Sequence, residues 1–114
     1  MGTLKKIAGP AYIASSATNI YTPANSAVDT VIQHIRVANK DATTAYTYTL
    51  YIGATGGSSG GTEITGLSES VPGASHVDHY FSPGLRLTST DFLTGVASSA
   101  SKLTITVMGE YVAN

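Results

Sequence analysis

Hydrophobic and polar residues alternate with a period of two along three segments of the chain, residues 31–38, 44–53 and 103–108. Successive side chains of a β-strand point to opposite faces of a sheet, so this period predicts three half-buried strands. In residues 44–53 one face is predicted to carry Tyr46, Tyr48, Leu50 and Ile52. The opposite face is predicted to carry Thr47, Thr49 and Tyr51.

The same alternation divides residues 31–38 into two faces. One is predicted to carry Val31, Gln33, Ile35 and Val37, and the other Ile32, His34 and Arg36. Shorter segments with alternating or β-branched residues predict further strands, at residues 3–8, 12–14, 19–21, 63–67, 76–81, 85–88 and 92–97. The chain is therefore expected to consist mainly of β-strands.

Clusters of glycine, proline, asparagine and aspartate separate these segments and predict turns. Examples are Gly9-Pro10, Asn39-Lys40-Asp41, Pro72-Gly73 and Ser82-Pro83-Gly84. Turns about ten to fifteen residues apart are typical of antiparallel sandwiches and jelly rolls. Apart from one short helical turn at residues 89–93, no segment favours a helix. We expect one all-β domain over residues 1–114, an antiparallel β-sandwich or its jelly-roll form, with Met1–Lys6 as an extended N-terminal arm.

The low charge of the chain excludes several classes of function. Charged residues make up 11% of the chain and the net charge is −1, against about 25% charged residues in an average soluble domain. A nucleic-acid-binding groove needs clustered Lys and Arg, which this sequence lacks. No apolar run reaches the roughly 20 residues of a membrane span. The absence of cysteine excludes disulfides, thiol nucleophiles and cysteine zinc sites.

A glycine-rich segment, residues 55–61, contains two overlapping Gly-x-Ser-x-Gly patterns centred on Ser58 and Ser59. A serine nucleophile of this kind needs a strand, a sharp turn and then a helix, whereas residues 62–65 have the composition of a strand. A phosphate-binding loop would need a Lys-Ser or Lys-Thr pair that does not follow here. We interpret the segment as a connection between strands and expect no catalytic residue and no enzyme activity.

His76, Asp78 and His79 are close enough in sequence to suggest a metal site. In a strand His76 and Asp78 share a face and His79 points the other way, so only two ligands converge. Zinc sites take three or four protein ligands. The pair would be completed only if His34 or Asp91 approached from elsewhere in the fold. We therefore expect no metal and no cofactor.

The seven tyrosines suggest contacts between proteins, because a tyrosine joins a large apolar ring to a hydrogen-bonding hydroxyl. Tyr46 and Tyr48 are expected in the core. Tyr51 is predicted on the opposite face with Thr47 and Thr49, and these three form a candidate subunit contact. A surface of Thr, Ser, Gly and Ala loses little side-chain entropy when it is covered, which favours a subunit packed against its own copies or a partner.

The two arginines, Arg36 and Arg86, lie within predicted strands and are further candidates for the subunit interface. Two interpretations of them stay open. Arg86 could pair within the chain with Asp91 or Glu110, or an arginine could form an ion pair between subunits. The sequence does not separate these alternatives.

Several segments of the chain resemble one family of proteins. They are Ile7–Ile13, His34–Lys40, Thr49–Ala54, Leu85–Gly95 and Leu103–Val107, and together they span most of residues 4–112. In their strand and turn pattern they are similar to the small all-β virion proteins of tailed bacteriophages, the minor capsid, head-decoration and minor tail proteins. No chemical motif is part of the resemblance, so it transfers no functional residue.

The resemblance implies a structural role without catalysis, in many copies on a virion assembled in the host cytoplasm. The implied partners are the chain itself and a major capsid or other virion protein, without nucleic acid or membrane. We favour head decoration over a minor tail protein, because the chain is short and carries no evident receptor-binding module. A carbohydrate- or cell-surface-binding module is the alternative from a different class.

Overall fold

The computed structural model describes residues 5–23, 26–55, 62–63 and 69–113. Within these residues the chain forms nine β-strands. They are β1 (Lys5–Tyr12), β2 (Thr18–Tyr21), β3 (Val28–Asn39), β4 (Tyr46–Gly53), β5 (Thr62–Glu63), β6 (Glu69–Val71), β7 (His76–Leu87), β8 (Phe92–Ala97) and β9 (Leu103–Ala113). The described residues contain no helix long and apolar enough to cross a membrane.

The strands form two antiparallel sheets that pack face to face. Sheet I has the order β1-β9-β3-β7, and sheet II has the order β2-β8-β4-β5, with β6 also paired to β4. The predicted all-β antiparallel sandwich is confirmed. The long alternating segments form the centre of each sheet, because a strand with one strongly apolar face gains most where neighbours cover it.

The pairing of strands is nested along the chain. Strand β1 pairs with β9, β2 with β8, β3 with β7, and β4 with β6, as though one long hairpin had been folded over on itself. Two further pairings, β3 with β9 and β4 with β8, close the two sheets. This connectivity is that of a jelly roll, the double Greek key that places alternate strand pairs in opposite sheets.

The core lies between the sheets and consists of the inward side chains of the longest strands. Its fully buried members include Ile32, Ile35 and Val37 from β3, Tyr48 and Leu50 from β4, and Leu103, Ile105 and Val107 from β9. Tyr46 and Ile52 are partly buried and pack against this cluster. The core placement predicted for the alternating residues of β4 is therefore confirmed.

The faces predicted for residues 31–38 are wrong on one side of Gln33. Against β9, Ile32 and His34 pair with the adjacent residues Gly109 and Met108, so Gln33 is an extra residue in β3. The register against β7 is irregular at the same point. Such a bulge reverses the in–out alternation. Ile32 therefore faces the core together with Ile35, while His34 faces outward with Val31.

Two predicted turns lie inside strands. Gly9-Pro10 falls within β1 and Ser82-Pro83-Gly84 within β7, in both cases beside a register shift. Gly9 has a φ of +78°, and a Cβ at this position would clash with the carbonyl oxygen of Ile105. These residues kink continuous strands, as bulges do, and do not separate two strands.

Some predictions are corrected at single residues and others lie outside the described part of the chain. Lys5 and Lys6 pair with Gly109 and Met108 as the start of β1, so they do not belong to a free arm. The short helical turn predicted at residues 89–93 is wrong, since a turn at 89–90 leads directly into β8. Residues 1–4, the segment holding Ser58 and Ser59, and residues 64–67 lie outside the described residues.

Candidate interaction surface

The outer face of sheet I, the side turned away from sheet II, carries several of the polar residues that the sequence singled out. Across this face Arg36 on β3 lies opposite Asp78 on β7, and His34 lies opposite Tyr80. On the other side of β3, the same two residues lie opposite Thr106 and Met108 of β9. Their outward orientation follows from the bulge at Gln33.

Asp78 is the centre of a hydrogen-bonded cluster on this face. Arg36 donates from Nε to Oδ1 at 2.7 Å and from a terminal nitrogen to Oδ2 at 3.3 Å. His34 Nε2 lies 2.8 Å from Oδ1, and His76 Nε2 lies 3.4 Å from Oδ2. Both carboxylate oxygens are therefore engaged, and the two-pronged arginine contact fixes the plane of the carboxylate.

This cluster keeps Asp78 ionised. The hydrogen bonds from Arg36 and then from His34 lower the pKa of the Asp78 carboxyl from 3.8 to about 2, against the opposing effect of partial burial. A carboxylate with so low a pKa is a poor proton acceptor at neutral pH. What the cluster does is hold the His34 and Arg36 side chains in fixed orientations on an open sheet surface.

Two exposed tyrosines lie on the same face. Tyr80 stacks on the His34 ring with a centroid distance of 4.4 Å and an angle of 5° between the planes, yet 72% of its surface is exposed. Tyr12, on β1, lies opposite outward-facing Thr104 and is 54% exposed. Because His34 is held by Asp78, the exposed Tyr80 ring stands on a fixed support.

Two shallow depressions run along the central strands of this face. One, of about 430 Å³, is lined by His34, Arg36, Thr106 and Met108. The other, of about 450 Å³, is lined by Val31, Pro83, Gly84, Arg86, Glu110 and Val112. These depressions make the face uneven, so that side chains of a partner can insert into them.

Arg86 forms an ion pair within the chain, but neither predicted partner is correct. Its Nε donates to Oδ2 of Asp29 at 2.9 Å, and the Asp29 side chain is only 10% exposed. Asp91 accepts hydrogen bonds from the backbone NH and hydroxyl of Thr88 and so closes the turn before β8. Asp29 was missed because its pairing depends on the register of β3 against β7.

The outer face of sheet II offers less surface than predicted. Tyr51 is 8% exposed and Thr49 5% exposed, while their neighbour Thr94 on β8 is 2% exposed. Thr47 is partly buried and lines a small depression of about 180 Å³ together with Val96 and Ser98. Of the candidate interface residues, Arg36 and Arg86 are exposed, whereas little of Tyr51 or Thr49 is available to a second copy.

The possible metal ligands are brought together only in part. His76 and Asp78 share the outer face and His79 faces the core, as the strand period predicted. His34 does approach Asp78, but Asp91 does not. Within residues 5–23, 26–55, 62–63 and 69–113, no group of three His, Cys, Asp or Glu side chains is placed to hold a metal ion.

Tyr80 is the functional candidate that the sequence reasoning passed over. A signal was present, since His76, Asp78 and Tyr80 alternate along one strand and therefore share a face. Their connection to His34 and Arg36 is a long-range pairing between β3 and β7, which the local pattern does not contain. The cluster therefore appears only once the strand order is known.

Comparison with known proteins gives little further guidance. No family model matches the chain, and no curated protein matches it. Two solved structures that it resembles are both of a pentameric capsid protein isolated from metagenomic phage sequences, one of them solved by iodide SAD phasing. Each aligns over 92% of this chain at 12% identity with a TM-score of 0.40.

The chain spans 59% of the length of the first of these structures and 67% of the second. At this identity and TM-score the similarity assigns no role to the chain. The contacts and exposures on the outer face of sheet I do not depend on this similarity.

Proposed function

We propose that this chain is a non-enzymatic structural protein of a phage virion, a minor capsid or head-decoration protein that self-associates and binds the capsid lattice. The observation that carries the proposal is the open outer face of sheet I, where Tyr80 and Tyr12 are exposed and the guanidinium of Arg36 is held by Asp78. Tyrosine and arginine are, together with tryptophan, enriched at the hot spots of protein–protein interfaces.

The composition supports the same conclusion. A domain with 11% charged residues has a surface made largely of short polar side chains, and such a surface loses little entropy when it is covered. The strand and turn pattern that resembles small virion proteins of tailed phages supports the location on a particle. The two solved structures described above are phage capsid proteins, and the proposal stands without them.

The mechanism we propose is reinforcement by many weak contacts. A decorating subunit that touches both its own copies and a major capsid protein links neighbouring positions of the shell. Once one contact has formed, the others are intramolecular, so the total binding exceeds that of any single contact. The jelly roll supplies a rigid body for this role, because its two sheets share one continuous core.

The test is to locate the chain on the particle. Antibodies raised against the purified chain are applied to particles of the phage that encodes it, and bound label is imaged by electron microscopy. Label over the head in many copies supports head decoration, and label confined to the tail assigns the chain to the minor tail alternative. Particles that carry neither label nor chain by mass spectrometry reject a virion role.

A further inference from the structure

We infer that the outer face of sheet I is the surface through which two copies of this chain pair, face to face across a twofold axis. The inference rests on the proposed structural role and deepens it, since it names the contacting surface and its partner. It also moves the subunit contact away from Tyr51 and Thr49, which are buried in sheet II.

Strand edges are poor surfaces for pairing in this fold. Sheet I ends on β1 and β7, and each carries a proline and a register shift, Pro10 in β1 and Pro83 in β7. The edge strands of sheet II are two to four residues long. Prolines, bulges and short edge strands all hinder the addition of another strand. Association in the described part of the chain is therefore expected through a face.

Of the two outer faces, that of sheet I is the open one. Exposure at Tyr80 is 72% and at Tyr12 54%, whereas the outward residues Thr94 and Tyr51 of sheet II have 2% and 8%. With strands about 4.8 Å apart and a rise of about 3.3 Å per residue, sheet I presents a face about 19 Å by 35 Å. That footprint of about 650 Å², before side-chain relief is counted, approaches the roughly 800 Å² that each partner contributes to a standard interface.

The residues of this face are those of an interface centre. His34, Arg36 and Met108 line one depression, and Tyr80 stacks on the His34 ring. Tyrosine, arginine and methionine are enriched in interface cores, while lysine and glutamate are depleted there. Because His34 and Arg36 are already held by Asp78, these side chains lose little freedom when a partner covers them.

The charges of the face favour a second copy of the chain as the partner. Outward positions on its four strands carry three cationic and three acidic residues, namely Lys6, Arg36, Arg86, Asp29, Asp78 and Glu110. In a twofold contact the same patch meets itself, so a face of one sign would repel its copy. Arg86 and Arg36 are already paired within the chain with Asp29 and Asp78, so this nearly neutral face meets its copy without net repulsion. An acidic or a nucleic-acid partner would instead need an excess of cations.

Light scattering after size-exclusion chromatography, from micromolar to millimolar protein, tests the inference with three variants of the full chain. Thr106→Arg places a bulky cation at the middle of the face, and Tyr80→Ala removes the exposed ring. Ser70→Arg is the matched control, an exposed strand position in sheet II. We expect a dimer for the wild type and the control, and a dissociation constant raised about 30-fold or more in the other two variants. Thermal unfolding verifies that each variant folds, and Tyr80 is exposed enough for truncation to leave the core intact.

Three results would overturn the inference. One is a wild-type chain that stays monomeric across the whole range, and another is an oligomer that survives both Thr106→Arg and Tyr80→Ala. The third is a monomer that binds a glycan array and loses that binding in Tyr80→Ala, which would assign the face to a carbohydrate. Each of these results can occur while antibody label is still found on the phage particle. They are therefore distinguishable from failure of the proposed virion role.

Discussion

The hydroxyl of Tyr48 in sheet II lies 2.5 Å from Nε2 of His79 in sheet I, and this hydrogen bond joins the two sheets. The two rings meet edge to face, with centroids 6.0 Å apart at 70°. Tyr48 is 1% exposed. Burial, with a smaller effect from the charge of Glu69, raises the pKa of the Tyr48 hydroxyl, which therefore stays protonated near neutral pH.

Removing this hydroxyl is expected to destabilise the sandwich. Tyr48→Phe keeps the ring but leaves the partly buried His79 nitrogen without its partner, and we expect the free energy of unfolding to fall by about 1–2 kcal/mol. Urea unfolding followed by circular dichroism measures the change. Tyr12→Phe, at an exposed ring, is the control and should stay within about 0.5 kcal/mol of the wild type. Equal effects in the two variants would show that the inter-sheet bond contributes nothing.

Acid should weaken the fold through Asp78. Because its folded-state pKa is lowered to about 2 from 3.8, the native state binds this proton less readily than the unfolded chain does. The contribution is present above about pH 4 and is lost as the pH falls towards 2. Asp78→Asn should therefore be less stable than the wild type at neutral pH and lose less stability over that range. Urea midpoints of the wild type and of Asp78→Asn, measured over this pH range, test the prediction. If the two midpoints fall in parallel as the pH is lowered, Asp78 is not the source of the acid sensitivity.

Gly9 is expected to tolerate no side chain. An alanine at its φ of +78° would be strained, and its Cβ would press on the Ile105 carbonyl in the neighbouring strand. Gly9→Ala should lower the stability by about 2 kcal/mol or more, whereas Ala11→Ser, at an exposed position of the same strand, should change it by less than about 0.5 kcal/mol. Thermal unfolding of both variants makes the comparison.

The ion pair between Arg86 and Asp29 is expected to stabilise the fold because the Asp29 carboxylate is largely buried. Arg86→Met keeps most of the aliphatic stem and removes the charge, so Asp29 is left as a largely buried carboxylate without this contact. We expect a loss of about 1 kcal/mol, of which the additional Asp29→Asn substitution should restore a part. Unfolding of the two single variants and the double variant gives the coupling energy. Simple additivity would mean that the contact has no energetic role.

The local pattern of the sequence was sufficient to predict the strands but not the faces around irregular positions. Alternation predicted the central strands β3, β4 and β9 because each buries one face in the core. It failed at Gln33, where one extra residue reverses the alternation without any composition signal. It also misplaced Pro10 and Pro83 as turns, since proline has the same local effect in a turn and in an edge-strand bulge.

The candidate surface was less accessible to sequence reasoning than the fold. Arg36 and Arg86 were identified as interface candidates. Tyr51 and Tyr80 both lie in alternating segments, and Tyr51 was preferred because the sequence has no signal for the burial of the outer face of β4. The Asp78 cluster joins residues 42 and 44 positions apart. Contacts of that range depend on strand order, which propensity and periodicity do not specify.

The nested pairing has a consequence for the order in which this molecule folds. Strand β9 lies between β1 and β3 in sheet I. During synthesis, β1 and β3 therefore lack the strand that joins them until residues 103–113 have been made. Sheet I cannot close on the ribosome before that point. A chain cut short ahead of β9 would leave both flanking strands with unpaired backbone, the condition under which β-proteins aggregate.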